Sequence, residues 1–523
     1  MPAGAATCDP RPPALRENVR MNRSAEPRVV IIGGGIAGLA AGCYARMNGF
    51  GATVLEMHDK PGGLCTSWRC KGYTIDGCLH WLVGSRPGTG VHPIWQELGV
   101  VQDRKFINHE VFARCEDQEG GGFSMYCDVD RLEEELLRVA PEDKKTSRKL
   151  IRGIRAFIAA TRAQDRMQMY GGPARVFRLI FTVLPRFLPL IPWLRTTVGQ
   201  VGNRFTNQLL RSAFANFWPP GFPAAALLMT LAWASEKNAG YAIGGSLPIA
   251  RAMEKRLLGL GGRVEYGRCV DKVLVENDTA VGVRLEGGDE LRADFVISAA
   301  DGHATIFEML EGRYLDRRII EMYETWPRFP ALVYVGLGVN RRFDDLPEMV
   351  GSLHYKLRRP FNVGGREQKW MSVRVFNFDP TLAPEGKTAC VVIFTADYEY
   401  WKDLHTRPEE YAAAKGKITE SVVAALDERF PGIGAQVEMT NVATPITFEH
   451  YTGNWQASFE GWQMTRRNAT RRVSKTLPGL NNFWMCGQWV EPGGGLPPAA
   501  SSARGVIQQL CRVTNRPFTT TKP

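Results

Sequence analysis

The sequence predicts an α/β fold, in which a Rossmann-like dinucleotide-binding domain is interleaved with an α+β second domain containing an antiparallel sheet and a helical, membrane-facing segment. Three observations predict it. A strand, a glycine turn, a helix and a second strand ending in an acid follow one another from Arg28 to Glu56. A strand, a glycine loop and a helix follow one another again from Asn482 to Cys511. Between these ends, short β-branched runs alternate with turn residues. A chain of 523 residues is too long for one ordinary core, so two or three interleaved domains are expected.

Residues 1–26 contain Pro10, Pro12, Pro13 and several arginines without an apolar run. They read as a disordered leader or an extension upstream of a start at Met21, not as a secretory signal or membrane anchor. Their arginines and low acidity also fit an organelle transit peptide.

Residues 27–100 form the first part of the dinucleotide domain. Arg28 to Gly33 reads as a buried parallel strand. Gly33 allows a tight turn, Gly35 lets the backbone approach a pyrophosphate, and Gly38 permits close helix–strand packing. The helix N-terminus then offers free N–H groups to the phosphates. Glu56, at the end of the second strand, is placed to accept hydrogen bonds from ribose hydroxyls, and an acid there disfavours a 2′-phosphate. FAD or NAD remain. Lys60-Pro61-Gly62-Gly63-Leu64, a second glycine turn directly after that acid, suits the longer FAD. So does the loop Pro492 to Pro497 opening a helix near the C-terminus, whose positive end would stabilise negative charge on a reduced flavin. No second strand–GxGxxG–helix unit is present, since Gly259 to Gly262 lacks a preceding strand and reads as a helix stop.

Residues 101–240 are expected as a helical part facing substrate or membrane, and their charge stands out. Between Lys144 and Arg211 fourteen basic residues face only Asp165, so this stretch holds more than the whole net charge of +11. Ala174 to Leu184 reads as a short amphipathic helix. Pro185, Pro189 and Pro192 then break an apolar run of Phe187, Leu188, Leu190, Ile191 and Trp193. Arginines flanking such a segment fit an anionic bilayer interface or a lid over an internal cavity. Nucleic acid is disfavoured, because the aromatics cluster with apolar residues and are not interleaved with base-reading polar groups. No run of 18 uninterrupted apolar residues occurs, so no transmembrane helix is expected.

Strands at Arg263 to Tyr266, Val270 to Val275, Ala280 to Leu285 and Phe295 to Ala299 return the chain to the dinucleotide domain over 241–310. Residues 311–455 hold Leu332 to Val339, Met371 to Phe378 and Ala389 to Phe394, a sheet walling a substrate cavity. Residues 456–515 complete the dinucleotide domain, and 516–523 are a tail. Eleven scattered cysteines without a CxxC pair imply reduced thiols in a cytoplasmic setting. Cys65, Cys70, Cys78 and His80 are close in sequence but match no zinc spacing, so no metal is expected.

The Gly33 motif, the Gly62–Gly63 turn and the Pro492 to Pro497 loop resemble the phytoene desaturase-type flavoproteins. That group comprises carotenoid desaturases, prolycopene isomerases and retinol saturases, and is related to flavin amine oxidases. Tyr73 to Gly77, Gly244-Gly245-Ser246, the Gly261 to Val270 stretch, Val296 to Asp301, and Thr444 to Phe448 with Tyr451-Thr452-Gly453 extend the resemblance from about residue 28 to 512. It implies an FAD site of Gly33, Gly35, Gly38, Glu56, Gly63, Leu64, Val270, Gly487, Gly494 and Leu496. Many relatives carry Arg where Leu64 stands, so backbone amides do more of the phosphate binding here. The turn from Asp76 to Trp81 is closer to the saturase and isomerase branch.

The implied enzyme acts by flavin redox chemistry on C–C or C=C bonds of an apolar isoprenoid or polyene lipid, by desaturation, saturation or cis–trans isomerisation. It would be cytoplasmic, in peripheral contact with an anionic membrane, with its electron partner open. Two alternatives stand beside it. One is a flavin amine oxidase, with Trp455, Trp462 and Trp489 as an aromatic cage or simply as core. The other is a non-catalytic, flavin-bearing scaffold. His80 is a candidate proton relay or a structural histidine; no other catalytic acid or base is assigned.

Overall fold

The computed structural model describes residues 26–167, 184–217, 221–465, 468 and 471–523. β1 (Arg28–Ile32) is buried along all but its first residue, as a Val/Ile run covered on both faces should be: Val29 and Ile31 pack towards the helices, Val30 and Ile32 towards the strands that include Val273 and Val283. α1 (Ile36–Met47) is rich in Ala and Gly and therefore thin, and ten of its residues are buried. Gly49, with φ +75°, turns the chain into β2 (Gly51–Glu56), which pairs parallel to β1. The chain then leaves this layer through a hairpin of Ser67–Cys70 and Tyr73–Asp76.

β3 (Val111–Glu116) and β4 (Gly122–Tyr126) come next and pair antiparallel. This corrects the purely helical expectation for 101–240. Helix α2 (Lys144–Met167) follows and buries an apolar stripe including Leu150, Ile151, Ile154 and Phe157, while its lysines and its arginines from Arg148 to Arg162 face out. The segment expected as an amphipathic helix from Ala174 lies almost wholly outside the described residues. Beyond it, the prolines restrict the chain to single turns at Leu184–Phe187, Leu188–Leu190 and Ile191–Leu194.

α3 (Leu247–Gly259) stops where Gly261 takes φ +81°. After it come β5 (Arg263–Tyr266), β6 (Val270–Glu276), β7 (Thr279–Leu285), β8 (Glu290–Arg292) and β9 (Phe295–Ser298). The larger wall is built from β10 (Ala331–Val339), β11 (Leu353–Val363), β12 (Arg366–Val375), β13 (Thr388–Ala396) and β14 (Val437–Ala443). α4 (Pro445–Thr452), β15 (Phe483–Met485) and α5 (Leu496–Val513) close the order.

Two sheets position the site. The first, β5-β2-β1-β9-β15, is parallel throughout, with strands drawn from both chain ends and the middle. α1 packs on it and against α3 and α5. Contact is close because Gly42 has no side chain: a Cβ there would lie 3.0 Å from Leu257 Cδ2. The second sheet is β14-β10-β13-β12-β11-β3-β4. It is antiparallel except where β3 joins β11 in parallel, so the expected antiparallel wall is extended by strands from before residue 130. β6, β7 and β8 form a small antiparallel sheet that covers the other face of the parallel sheet, Val273, Ala280 and Val283 packing with Val30, Ile32 and Val296. The last residues, expected as a tail, run back along α1: Asn48 Nδ2 donates to the Thr519 carbonyl at 3.0 Å, and Thr519 N donates to Asn48 Oδ1 at 2.7 Å.

Candidate functional site

One cleft runs between the parallel sheet and the large mixed sheet. Its volume is about 400 Å³, within the roughly 300–1,000 Å³ typical of a ligand site.

Its first end is built by the glycine turn after β1. Gly33 takes φ +95°, and a Cβ on Gly38 would lie 1.9 Å from the Gly33 carbonyl oxygen, so only glycine lets α1 start this close to β1. Gly35, the N-cap of α1, has no side chain to satisfy the first amides, which leaves them for a ligand. Gly33, Gly35, Ile36 and Ala37 line the cleft. Glu56 is buried at the end of β2 and bound on both oxygens: Gly34 N donates to Oε2 at 2.7 Å, and His58 N donates to Oε1 at 3.0 Å. These bonds fix the carboxylate, and each oxygen keeps a second lone pair.

The second turn docks directly on the first. Gly62 N donates to the Gly34 carbonyl at 2.9 Å, and Gly63 sits with φ +58° beside Gly35. Gly63 and Leu64 line the cleft, as do Arg268, Cys269 and Val270 from the chain entering β6. Arg268 N donates to the Glu56 carbonyl at 2.9 Å, which ties the two segments together.

The third turn comes from the C-terminal end. Gly487 (φ +101°) donates its N–H to Ser502 Oγ at 2.7 Å, and Leu496 opens α5. Pro497 and Pro498 follow, so two of the first three positions of α5 carry no N–H. The expected anion-facing helix end is therefore presented by the Leu496 amide and the helix dipole. Of the ten expected cofactor residues, Gly33, Gly35, Glu56, Gly63, Leu64, Val270, Gly487 and Leu496 line the cleft. Gly38 and Gly494 stand behind it, the first against Gly33 and the second against Glu460.

Leu332, Tyr334, Ile393, Phe448 and Phe459 supply the opposite, apolar wall. Tyr334 is fixed by donating its hydroxyl to the Asp76 carbonyl at 2.5 Å. Asp76 is itself buried. Its Oδ1 accepts from Cys78 N (3.0 Å), Leu79 N (2.9 Å) and Ser246 Oγ (2.7 Å), and its Oδ2 accepts from Ser246 N at 2.5 Å. This hub shapes the turn that carries His80 into the cleft. Behind the turn lies buried Arg374, whose guanidinium donates to the Leu79 and His80 carbonyls. Burial and the Arg374 charge push His80 down to about 3. A neutral imidazole with Nδ1 against the Cys78 carbonyl at 3.1 Å is no imidazolium acid at neutral pH.

Sequence reasoning assigned no role to the two cleft carboxyls beyond Glu56. Asp301 accepts from Ala304 N at 2.8 Å and Trp455 N at 2.9 Å, and burial raises it to about 7. Burial alone raises Glu460 to about 8. Glu460 lies in an irregular loop where no period marks it. The three tryptophans are not arranged as a cage: Trp462 and Trp489 are buried and pack edge-to-face at 5.1 Å, with Tyr323 against them. Among the described residues no group of three or more His, Cys, Asp or Glu side chains could hold a metal ion.

Residues 36–510 match the family described as flavin containing amine oxidoreductase. The chain is 27% identical to a phytoene desaturase (neurosporene-forming) of Cereibacter sphaeroides, over 91% of this chain and 93% of that one. It is 23% identical to the chloroplastic prolycopene isomerase of Daucus carota, over 93% of this chain and 80% of the relative. Among solved structures, an oxidoreductase from Methanosarcina mazei superposes with a TM-score of 0.58 at 16% identity, covering 92% of this chain and 100% of that one. Putrescine oxidase bound to putrescine does so at 0.57 and 14%, covering 93% and 99%. At such identities the structural likeness shows a shared fold.

Proposed function

The chain belongs to the family of flavin containing amine oxidoreductases, and from that premise we propose that it is an FAD-dependent oxidoreductase acting on an apolar isoprenoid polyene, by desaturation, saturation or cis–trans isomerisation. The observation that carries this reading is the cleft that joins three glycine turns to an apolar wall. The residues fit an extended dinucleotide. Glycines stand where a Cβ would collide, and α1 leads with uncapped amides for a pyrophosphate. Glu56 has lone pairs left for ribose hydroxyls. Arg268 reaches the same end, and Leu64 brings no cation to the second turn, which leaves its backbone to face the cofactor.

When bound, the flavin supplies hydride acceptance or donation at N5. The chain's own residues do the rest. Leu332, Tyr334, Ile393, Phe448 and Phe459 hold an apolar chain and exclude water. Burial raises both Asp301 and Glu460 toward their neutral forms, which weakens the attraction of this part of the cleft for a cationic amine. The relatives named as desaturases and isomerases, matched over more than nine-tenths of this chain, favour the same substrate class.

A lipid substrate also needs an entry. Leu188, Ile191 and Leu194 are exposed on the short turns after residue 184, beside exposed Arg195. α2, which packs on those turns, exposes Lys144, Lys145, Arg148, Lys149 and Arg152. Apolar tips among cations suit peripheral binding to an anionic bilayer. Among the described residues no helix is long and apolar enough to cross one.

The test is turnover by FAD-loaded protein, followed by chromatography of the products. Acyclic carotenoids should be converted and diamines left intact; the reverse would overturn the reading. Flotation with phosphatidylserine vesicles should fail for Leu188→Asp/Ile191→Asp/Leu194→Asp, and salt-insensitive binding by both proteins would remove the membrane contact.

A further inference from the structure

Carboxyls in this protein are, as a rule, held. Asp76, Asp301 and Glu56 each accept two or more hydrogen bonds. Glu460 lines the same cleft and differs from them. It has no hydrogen-bond or charge partner among the described residues, and burial is the only influence acting on it. Its position is built nonetheless. The carboxyl lies over the backbone of Gly494 in the glycine loop before α5, where a Cβ would come 2.4 Å from Glu460 Oε2 and 2.6 Å from Cδ. Gly494 is thus glycine both for its φ of +71° and for the room Glu460 occupies. The neighbouring side chain, Phe459, belongs to the apolar wall. Glu460 is half-buried at the cleft surface, between a cofactor loop and an apolar wall, so its carboxyl is open to a ligand in the cleft and ties together no part of the fold.

We propose that Glu460 is the proton-exchanging residue of the cleft, giving a proton to, or taking one from, the substrate carbon next to the one that exchanges hydride. This rests on the polyene reading above. In saturation, a hydride passes from the reduced flavin to one carbon of a C=C bond. The π pair takes the Glu460 proton at the other carbon, Glu460 is left as carboxylate, and the flavin ends oxidised. Desaturation is the reverse: the carboxylate takes the proton, the freed C–H pair becomes the C=C bond, and the hydride leaves to the oxidised flavin. A carboxyl raised to about 8 is poised for either role near neutral pH. The other ionisable groups facing the cleft do not substitute for it. His80 is neutral, Asp301 is bound by two amides, Cys65 and Cys78 lie against each other, Glu56, Arg268 and Cys269 are at the glycine-cradle end, where burial pushes the Cys269 thiol up to about 11, and the Tyr334 phenol is pushed above its usual range. Tyr451 is exposed at the mouth.

The test compares wild type, Glu460→Gln and Glu460→Asp as holoproteins with matched FAD content. Infrared titration without substrate should show a protonated-carboxyl band that disappears near pH 8 in wild type and is missing from Glu460→Gln. Polyene turnover should fall about 10²–10⁴-fold in Glu460→Gln, lose its inflection near pH 8, and recover partly in Glu460→Asp with a shifted inflection. Retention of wild-type rate and pH profile by Glu460→Gln overturns the proposal, as does a Glu460 band already ionised at pH 6. If wild type leaves polyenes unchanged while the band titrates near pH 8, the substrate reading fails and the proton-holding assignment stands.

Discussion

Replacing Glu56 by Gln isolates one charge at the cofactor end of the cleft. The side chain keeps its shape, but one acceptor oxygen becomes an NH₂ group. Both oxygens already accept a backbone N–H, from Gly34 at 2.7 Å and from His58 at 3.0 Å. Whichever way the amide turns, one N–H loses its acceptor and faces another donor. An unsatisfied buried donor costs about 1–3 kcal/mol, and a hydrogen bond to a charged group is worth about 1.5–3 kcal/mol. The first cost strains the turn that carries Gly33 and Gly35. The second is lost at the ribose. Even partial expression of the two, about 1.4–2.8 kcal/mol, raises the FAD dissociation constant by about 10–100-fold. Flavin fluorescence titration of the apoprotein measures this, with circular dichroism to verify the fold. An FAD dissociation constant within about twofold of wild type would refute the role given to Glu56.

Two further outcomes follow from the same geometry. Gly38→Ala places a Cβ 1.9 Å from the Gly33 carbonyl, so α1 must move off β1. A destabilisation of roughly 1–3 kcal/mol and loss of bound flavin are expected, read as a lower Tm and a colourless protein; an unchanged yellow protein would contradict the packing argument. For pH, Glu460 and Asp301 are raised in the folded state to about 8 and about 7. The unfolded chain ionises these groups near pH 4, so between there and pH 8 the folded state binds more protons and stability falls as pH rises. Glu460→Gln should remove a large part of that fall, on the order of 2–4 kcal/mol, in urea unfolding compared at pH 5 and pH 8. Identical slopes for the two proteins would show that Glu460 ionises normally.

What the sequence made legible was local. The β1–α1–β2 unit and Glu56 lie within 29 residues, where a β-branched run, glycine spacing and a terminal acid all report the same structure. The turn at Gly62 and Gly63 was readable because it follows at once, and the loop before α5 because glycine and proline mark it. The hidden parts depend on distant partners. β3 joins the large sheet by pairing with β11, more than 230 residues later, so its own short pattern could not place it. His80 is held neutral partly by Arg374, brought near by the fold and not by spacing. Glu460 matters because of what does not touch it. No periodicity signals an unpaired carboxyl, and only the crowding over Gly494 reveals that its place is made for it.

The central claim is that this flavin cleft works on polyenes. Anaerobic mixing tests it most directly, with oxidised and reduced holoprotein each offered an acyclic carotenoid or a diamine. The carotenoid is expected to bleach the oxidised flavin, recolour the reduced one, or be isomerised on it, and the diamine to leave both spectra unchanged. Bleaching by the diamine, with the carotenoid recovered intact from both mixtures, would contradict it.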